Sequence, residues 1–263
     1  MRAIRFSRTG GPEVLELVDV ETPKPGPGQI LVHHQAVGVN FIDTYQRSGL
    51  YPMKLPAGLG SEAAGVVEAV GDGVSRFEVG DLAAYAGTPG AYADANAVGA
   101  DRAVKVPAGI DARTASAALL KGMTVEFLIR RLHRVEPGET ILVHAAAGGV
   151  GQILVQWAKA LGAVVIATVG AEEKAARVRQ LGADHVILYR QQDVAAEVRR
   201  ITDGKGVPVA YDSVGKDTFE GTLGSLARRG LFVSFGNASG PPPPVEARRL
   251  MIGGSVFFTR ATM

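Results

Sequence analysis

Cysteine is absent from this 263-residue sequence, and several other features are scarce. Without cysteine the chain has no disulfide, no thiolate nucleophile and no cysteine-ligated zinc. Aromatic residues make up 6% of the chain, and a formal net charge of +2 is too small to indicate binding to nucleic acid or to a membrane surface. No apolar run approaches the length of a membrane span, and the start, Met1 to Arg8, lacks the apolar core of a signal peptide. We therefore expect a cytoplasmic globular protein with no nucleic-acid or membrane partner.

The most informative segment that is present reads His-Ala-Ala-Ala-Gly-Gly-Val-Gly, from His144 to Gly151. It follows the apolar run Thr140–Val143 and precedes an amphipathic stretch that ends at Leu161, which predicts a strand, a glycine-rich turn and a helix. Because N–H groups at a helix start face anions, four residues are predicted to hold the pyrophosphate of a dinucleotide: Gly148, Gly149, Val150 and Gly151. Alanine (Ala146) stands at the first position of the usual Gly-x-Gly-x-x-Gly pattern. The alternative is therefore a turn that only connects a strand to a helix.

After this turn, strand-like and helix-like runs alternate to the end of the chain. The strand-like runs are Val164–Val169, His185–Tyr189, Val207–Tyr211, Leu231–Phe235 and Ser255–Phe258. The helix-like runs are Glu172–Leu181, Val194–Ile201 and Lys216–Leu226. Short apolar strands that alternate with helices predict parallel βαβ units, and hence an α/β fold with a doubly wound Rossmann sheet.

The first half has a different pattern, with short apolar runs broken every few residues by Gly, Pro or Asp. These runs are Ile30–His33, Ala63–Val70, Leu82–Tyr85 and Ala103–Val106. They predict an antiparallel β domain that resembles a barrel. Asp111 is expected to cap a helix that runs to Leu120, and Lys121–Leu132 is expected to form the helix that connects the two halves.

The end of the second strand in the parallel sheet bears on the identity of the dinucleotide. An NAD site usually has Asp or Glu there, whereas this strand ends at Gly170, and Lys174 follows one helical turn later. Glycine leaves room for a 2′-phosphate, lysine supplies a positive charge, and Tyr189 with Arg190 can flank the adenine and the phosphate. The alternative for Lys174 is a solvated helix residue. Together Gly170, Lys174 and Tyr189 favour NADPH over NADH.

A further set of short motifs is spread over both halves. In the first half these begin at Gly10 (Gly-Gly-Pro-Glu-Val-Leu), Gly38 (Gly-Val-Asn-Phe-Ile-Asp-Thr-Tyr), Arg47 (Arg-Ser-Gly-Leu-Tyr-Pro) and Gly58 (Gly-Leu-Gly-Ser-Glu-Ala-Ala-Gly). In the second half they begin at Lys121 (Lys-Gly-Met-Thr), Ala145, Tyr211 (Tyr-Asp-Ser-Val-Gly) and Ser234 (Ser-Phe-Gly-Asn). In this order the motifs resemble the quinone oxidoreductase (zeta-crystallin) family of the medium-chain dehydrogenase/reductases. The resemblance implies a GroES-like catalytic domain over residues 1–122, a Rossmann domain over residues 123–263, and NADPH in the cleft between them.

The resemblance also implies roles for individual residues. The residues implied to line the cleft near the nicotinamide are Asn40, Asp43, Tyr45 and Tyr51, and the further contacts implied for the cofactor are Tyr45, Thr124, Asn237 and Phe258. Tyr45 or Tyr51 could stack on a quinone and offer a hydroxyl, while Asn40 could bond the carboxamide or the acceptor. The alternatives are packing aromatics for the tyrosines and a helix cap for Asp43. Nothing in the chain marks an obligatory general acid.

The same resemblance bears on a metal. Medium-chain alcohol dehydrogenases hold a catalytic zinc with a Cys and a Gly-His-Glu motif, and the matching positions here are Asn40 and Gly60-Ser61-Glu62. Their cysteine-rich lobe is replaced by the short connection Ala84–Gly90, and the consecutive His33 and His34 point to opposite faces of a strand. Because Asn and Ser are poor zinc ligands, we expect no metal. The acceptor should then be electrophilic already, because no ion polarises an alcohol.

We therefore expect zinc-independent reduction of a quinone by NADPH. One alternative is reduction of α,β-unsaturated carbonyls, and another is a non-catalytic NADPH-binding protein like the crystallin and RNA-binding relatives. The apolar run Ser255–Phe258 predicts a sheet edge that pairs in a homodimer. Family members usually continue beyond this strand with a segment that returns to the catalytic domain, whereas this sequence ends at Met263. Either the sequence is truncated or the first domain closes without that segment.

Overall fold

The chain divides into two compact units, with the division between Leu120 and Lys121. The computed structural model describes residues 1–262. The domain boundary that we expect between residues 122 and 123 stays a prediction. Within the described residues, no helix combines the length and the apolar character needed to cross a bilayer.

The first unit is mainly antiparallel β structure. Its strands are β1 (Arg2–Phe6), β2 (Glu16–Asp19), β3 (Gln29–Val37), β4 (Ala57–Gly58), β5 (Glu62–Val70), β6 (Leu82–Ala86), β7 (Ala95–Gly99) and β8 (Ala103–Lys105). Its helix α1 spans Phe41–Ser48, and short 3-10 turns span Pro12–Val14 and Ala100–Arg102. The strands form one sheet in the order β2-β1-β4 and a second in the order β7-β3-β5-β6-β8. The predicted antiparallel first domain is confirmed.

The long pair β3 and β5 forms the centre of the larger sheet. At Gly65 an added Cβ would lie 1.8 Å from the carbonyl oxygen of His33, so only glycine lets the two strands approach this closely. His33 and His34 point to opposite faces, as predicted. His33 lies at the surface 3.3 Å from Glu68, whereas the His34 ring is 2.9 Å from the hydroxyl of buried Tyr85.

The second unit contains a parallel sheet covered by helices. Its strands are β9 (Thr140–Val143), β10 (Val164–Val169), β11 (His185–Leu188), β12 (Val207–Asp212), β13 (Leu226–Ser234) and β14 (Phe257–Arg260). Helix α2 (Ala112–Glu126) crosses the division between the units, and the later helices are α3 (Gly149–Ala160), α4 (Glu172–Gln180), α5 (Val194–Ile201), α6 (Phe219–Ser225) and α7 (Ala247–Ile252). The strand order β11-β10-β9-β12-β13-β14 is that of a Rossmann fold, which confirms the predicted fold class.

The helix predictions before the glycine-rich turn need one correction. Asp111 caps a helix as expected, because its carboxylate accepts a hydrogen bond from the N–H of Thr114 at 2.7 Å. The two predicted helices, however, are one continuous element. Helix α2 continues past Leu120 to Glu126 and then widens into a π-helical segment, Phe127–Leu132.

Two predicted boundaries near the chain end were also wrong. The helix expected from Lys216 begins only at Phe219, because Gly215 has φ +93° and its N–H bonds the Asp212 side chain at 3.0 Å instead of continuing a helix. The strand expected over Ser255–Phe258 begins at Phe257. Ser255 has φ +59°, which belongs to a turn and not to a strand.

Candidate functional site

The glycine-rich turn joins β9 to α3 at the carboxyl end of the parallel sheet. Gly148 is the N-cap of α3, and the first helical hydrogen bond runs from the N–H of Gln152 to the carbonyl of Gly148 at 2.9 Å. The N–H groups of residues 149 to 151 therefore have no acceptor within the helix and point out of its positive end. At Gly151 an added Cβ would lie 2.4 Å from the Ala145 carbonyl oxygen. Glycine is required there, and the turn can bind an anion.

Lys121 lies beside this turn. The sequence analysis did not predict this contact. An added Cβ at Gly149 would lie 3.0 Å from both Cδ and Cε of Lys121. The aliphatic part of the lysine therefore packs against the start of α3. Thr124, predicted to contact the cofactor, lies three residues after Lys121 in α2, so both project from neighbouring positions on one helix face.

The end of β10 brings together three of the residues considered for the adenosine end of the cofactor. An added Cβ at Gly170 would lie 3.1 Å from the hydroxyl of Tyr189 and 3.3 Å from Nε of Arg190. The guanidinium of Arg190 lies over the Tyr189 ring, 5.9 Å from its centroid. Lys174 is exposed in the first turn of α4. The three heavy atoms nearest to a Cβ at Gly170 belong to Tyr189 and Arg190, so a positive charge and an aromatic face stand where an NAD site has an acid.

Asn237 and Phe258, predicted to lie near the nicotinamide, both make extensive contacts inside the second unit. The Asn237 amide donates to the carbonyl of Gly236 at 2.9 Å and accepts from Arg260 at 3.1 Å. The ring of Phe258 packs against Phe232 with centroids 5.0 Å apart. Their roles toward a cofactor stay predictions.

In the first unit, the predicted residue Asp43 is the centre of a buried cluster. Its carboxylate accepts hydrogen bonds from the hydroxyl of Tyr92 at 2.6 Å, the N–H of Asn40 at 2.8 Å and the hydroxyl of Ser61 at 3.4 Å. Burial raises the pKa of Asp43 above its ordinary value, while the three donors, with Tyr92 first, oppose that shift. Burial and the neighbouring carboxylate of Asp43 raise the pKa of Tyr92, so the phenol stays protonated and remains a donor.

A second buried carboxylate, Glu62, lies next to this cluster. Its oxygens accept from the N–H of Leu120 at 2.6 Å and from the side-chain amide of Asn40 at 3.2 Å. An added Cβ at Gly38 would overlap the same carboxylate, so glycine leaves the space that Glu62 occupies. Asn40 therefore bonds both acids, with its backbone N–H to Asp43 and its side chain to Glu62.

The two predicted tyrosines form an aromatic pair. The rings of Tyr45 and Tyr51 meet edge to face, with centroids 5.3 Å apart, and the N–H of Tyr51 donates to the carbonyl of Tyr45 at 3.0 Å. Phe41 extends the row, 6.1 Å from Tyr45, and is largely exposed. Tyr45 is mostly buried in this row, Tyr51 is partly exposed, and Phe41 is 62% exposed.

Known proteins are similar to this chain in fold and in sequence. Residues 26–108 match the family profile described as alcohol dehydrogenase GroES-like domain, and residues 149–262 match the profile described as zinc-binding dehydrogenase. The quinone oxidoreductase of Pseudomonas aeruginosa is 53% identical over 100% of this chain and 81% of its own length. The chain belongs to the quinone oxidoreductase family.

Two further relatives extend the comparison. The crystal structure of Escherichia coli quinone oxidoreductase complexed with NADPH superposes with a TM-score of 0.98 at 48% identity, covering 100% of this chain and 81% of that one. The 2-haloacrylate reductase of a Burkholderia species is 45% identical over 97% of this chain and 79% of its own length. Both are members whose chains extend beyond the part matched here.

The family profile described as zinc-binding dehydrogenase raises the question of whether these residues fit zinc. The positions that match the zinc ligands are Asn40, Ser61 and Glu62, which offer neither a thiolate nor an imidazole. Asn40 directs its amide N–H at Glu62, and Ser61 donates its hydroxyl to Asp43, so the polar groups bond each other. Within residues 1–262, no three His, Cys, Asp or Glu side chains come together as a metal site. The donor set does not fit the zinc of the alcohol dehydrogenases.

Sequence reasoning missed two features of the family site in this chain. Tyr92 makes the shortest hydrogen bond to Asp43 and lies forty-nine residues away from it in sequence. In the second unit, His144 directly follows β9 and Asp212 ends the neighbouring strand β12, and both side chains are buried. Polar residues directly after apolar parallel strands are the signal that could have indicated this second pair.

Proposed function

We propose that this protein reduces quinones with NADPH and without zinc. The observation that carries the proposal is the end of β10, where Gly170 stands at the position of the usual acid and lies against Tyr189 and Arg190, next to a glycine-rich helix start. This combination suits a dinucleotide with a 2′-phosphate. The E. coli relative, 48% identical, is a quinone oxidoreductase solved with NADPH, which supports the same cofactor.

In the second unit, each residue has a distinct role in binding. The N–H groups of Gly149, Val150 and Gly151 bind the pyrophosphate, because they point out of the positive end of α3. Lys174 and Arg190 neutralise the 2′-phosphate, while Tyr189 stacks on the adenine. Thr124, Asn237 and Phe258 are proposed contacts nearer the nicotinamide. NADPH, when bound, supplies the electrons and the hydrogen that reduce the acceptor.

In the first unit, the proposed acceptor residues are Tyr45, Tyr51 and Asn40. The tyrosine pair offers an aromatic face and hydroxyl donors to a flat quinone, and Asn40 offers an amide whose orientation Glu62 fixes. Asp43 is buried, with 3% of its surface exposed, so we assign it a positioning role, in which it holds Asn40 at the start of α1. A reduced quinone takes its proton from water, so no residue is assigned as a general acid.

Reduction of α,β-unsaturated carbonyls is the second candidate function. It is favoured by the 45% identity to a 2-haloacrylate reductase. In a haloacrylate the carbon–carbon double bond is conjugated with the carboxyl group, as it is with the carbonyl of an enone. Both candidates use an acceptor that is already electrophilic, which agrees with a donor set unsuited to zinc. The two candidates differ only in the shape and polarity of the acceptor pocket.

The test is NADPH oxidation with a panel of quinones, enones and alcohols, combined with NADPH titration calorimetry. Gly151→Val should abolish binding, because its side chain would overlap the Ala145 carbonyl, whereas Gly122→Ala, a glycine with open space around its Cα, should not. Quinone-dependent turnover supports the proposal, and turnover with enones alone supports the second candidate. Binding without turnover would indicate a non-catalytic NADPH-binding protein. Absence of binding by the unmodified chain would overturn the proposal.

We also propose that the protein is a cytoplasmic homodimer. Strand β14 is the last in the sheet order, and three large apolar side chains near it are exposed: Met251 (64%), Ile252 (67%) and Phe257 (57%). An edge strand with such neighbours favours pairing with a second copy, which would extend the sheet. A monomer in light scattering at micromolar concentration would contradict the dimer. The cytoplasmic location is proposed because the proposed reaction needs a source of NADPH.

A net charge of +2 gives no support to a nucleic-acid partner.

A further inference from the structure

A buried histidine lies at the carboxyl ends of the central strands of the second unit. His144 follows β9, is 1% exposed, and both of its ring nitrogens have partners. Nδ1 lies 2.9 Å from the hydroxyl of Thr168 in β10, and Nε2 lies 3.0 Å from the hydroxyl of Thr222 in α6. The ring therefore links β9 to its neighbour β10 and to a helix that packs on the sheet.

The chain of hydrogen bonds continues to Asp212 at the end of β12. This fully buried carboxylate accepts from the hydroxyls of Thr222 and Thr218, both at 2.7 Å. It also accepts from the N–H groups of Val214 at 2.8 Å and Gly215 at 3.0 Å. All of its bonds are thus to protein donors, and two of them shape the loop after β12.

The proton positions follow from counting donors. The Thr222 hydroxyl lies within bonding distance of the Asp212 carboxylate and of the Thr218 carbonyl, and both are acceptors. Its single proton goes to the charged carboxylate, the nearer of the two acceptors at 2.7 Å. His144 must then donate from Nε2 to Thr222, and Nδ1 accepts from the hydroxyl of Thr168. Counting donors therefore places a proton on Nε2 of His144.

The same network supports a strained backbone in the glycine-rich turn. Ala145 has φ +48°, a left-handed conformation that residues with a Cβ rarely adopt. Before it, the N–H of His144 donates to the carbonyl of Tyr211 at 2.9 Å. After it, the N–H of Ala146 donates to the carbonyl of Thr168 at 3.2 Å. Backbone hydrogen bonds to β12 and β10 therefore hold the chain on both sides of the strained residue, and the His144 side chain bonds Thr168 of the same strand β10.

The network lies at the position in the sheet where the strand order reverses, between β9 and β12. Strands β9 and β12 are neighbours where the order reverses, and ligands of such sheets bind outside the carboxyl ends at that reversal. His144 supports the turn after β9, and Asp212 shapes the loop after β12. One set of hydrogen bonds thus sets two loops that border the dinucleotide site.

We propose that His144, Thr222 and Asp212 are positioning residues that hold the glycine-rich turn and the loop after β12 in the arrangement that binds NADPH. All three are buried, so we assign them an action through the two loops and not through contact with the cofactor. The inference rests on the proposed function, because it assumes that NADPH binds at this turn. Its specific content is that breaking the network weakens NADPH binding in a protein that is still folded.

The experiment compares paired variants by NADPH titration calorimetry and by urea unfolding followed through Trp157. Thr222→Val removes the hydroxyl and keeps the shape, while Thr222→Ser restores the hydroxyl. We expect Thr222→Val to raise the Kd of NADPH about 10-fold and Thr222→Ser to keep it within about 2-fold, in the range of a lost hydrogen bond. The control is Thr202→Val, whose hydroxyl accepts from the N–H of Gly206 at 2.8 Å at the opposite end of β12.

The outcomes separate this inference from the proposed function. If Thr202→Val and Thr222→Val both lose stability but only Thr222→Val binds NADPH more weakly, the positioning role is supported. If Thr222→Val binds like the unmodified protein, the inference is overturned while the function stands. If the unmodified protein binds no NADPH, the proposed function fails first. Nitrogen NMR of the unmodified protein adds a check that needs no variant, because an unprotonated Nε2 of His144 would show that the ring does not donate to Thr222 and would overturn the inference.

Discussion

Acidification should destabilise the second unit through His144. The ring is buried, and this burial lowers its pKa below the ordinary value of 6.5, against an opposing effect of the nearby Asp212. In the unfolded chain the same ring is solvated and titrates normally. The native and unfolded states therefore bind different numbers of protons between the lowered pKa and pH 6.5.

The sign of the effect follows from which state binds the proton. In that window the unfolded chain takes up a proton and the native chain does not, so the free energy of unfolding falls as the pH falls. The full stability is present above pH 6.5. At pH 5.5 about ten unfolded molecules in eleven are protonated, so a native ring that stays neutral costs about 1.4 kcal/mol.

The single tryptophan makes this measurable for the second unit alone. Trp157 lies in α3 and packs against the core of that unit, so its fluorescence reports the unfolding of that unit. Urea unfolding between pH 7.5 and pH 5.5 should show the loss in the unmodified protein. His144→Gln should remove the slope, and His185→Gln, an exposed position in the same unit, should keep it. A flat profile in the unmodified protein, or an unchanged slope in His144→Gln, would refute the reasoning.

Three further predictions concern other parts of the molecule. Lys174→Ala should raise the Kd of NADPH about 10-fold and leave the Kd of NADH almost unchanged, because the positive charge facing the 2′-phosphate is lost. Equal losses of affinity for both dinucleotides in calorimetry would show that the lysine does not bind that phosphate. Tyr92→Phe should destabilise the first unit by about 2 kcal/mol at neutral pH, because it removes a hydrogen bond to the buried carboxylate of Asp43, and faster amide exchange in β5 is the readout. Phe257→Lys should convert the dimer to a monomer in light scattering, since it places a charge on the exposed face of β14.

The parallel sheet could be predicted because its information is local. Each strand of the second unit is a short apolar run, and glycine or polar residues mark where it ends. The strands Thr140–Val143 and Val164–Val169 and the helix Val194–Ile201 have the predicted bounds. The errors occur where a side chain competes with the regular backbone. Asp212 accepts from the N–H groups of Val214 and Gly215 and so holds the chain before α6 in a turn.

The candidate site was predictable to the same extent. Gly170 and Tyr189 follow neighbouring strands, so the strand order alone brings them together. Tyr92 and Thr222 could not be assigned in this way, because their partners lie far away in sequence and the contact depends on packing. The hydroxyl of Thr222 meets the ring of His144 across seventy-eight residues. Such pairs carry no sequence pattern beyond the presence of polar residues near apolar runs.

The replaced zinc positions show how a site keeps its geometry when its ligands change. In an alcohol dehydrogenase, the ion would fix the residues at positions 40, 61 and 62 relative to one another. Here Asn40 bonds Glu62 at 3.2 Å, while Ser61 and Tyr92 bond Asp43, so hydrogen bonds connect the start of α1 to β5 in its place. These bonds hold the backbone, but they offer no Lewis acid to an oxygen of the substrate. The acceptor must therefore carry its own electron deficiency, which is the physical reason that a quinone or a conjugated carbonyl suits this unit and an alcohol does not.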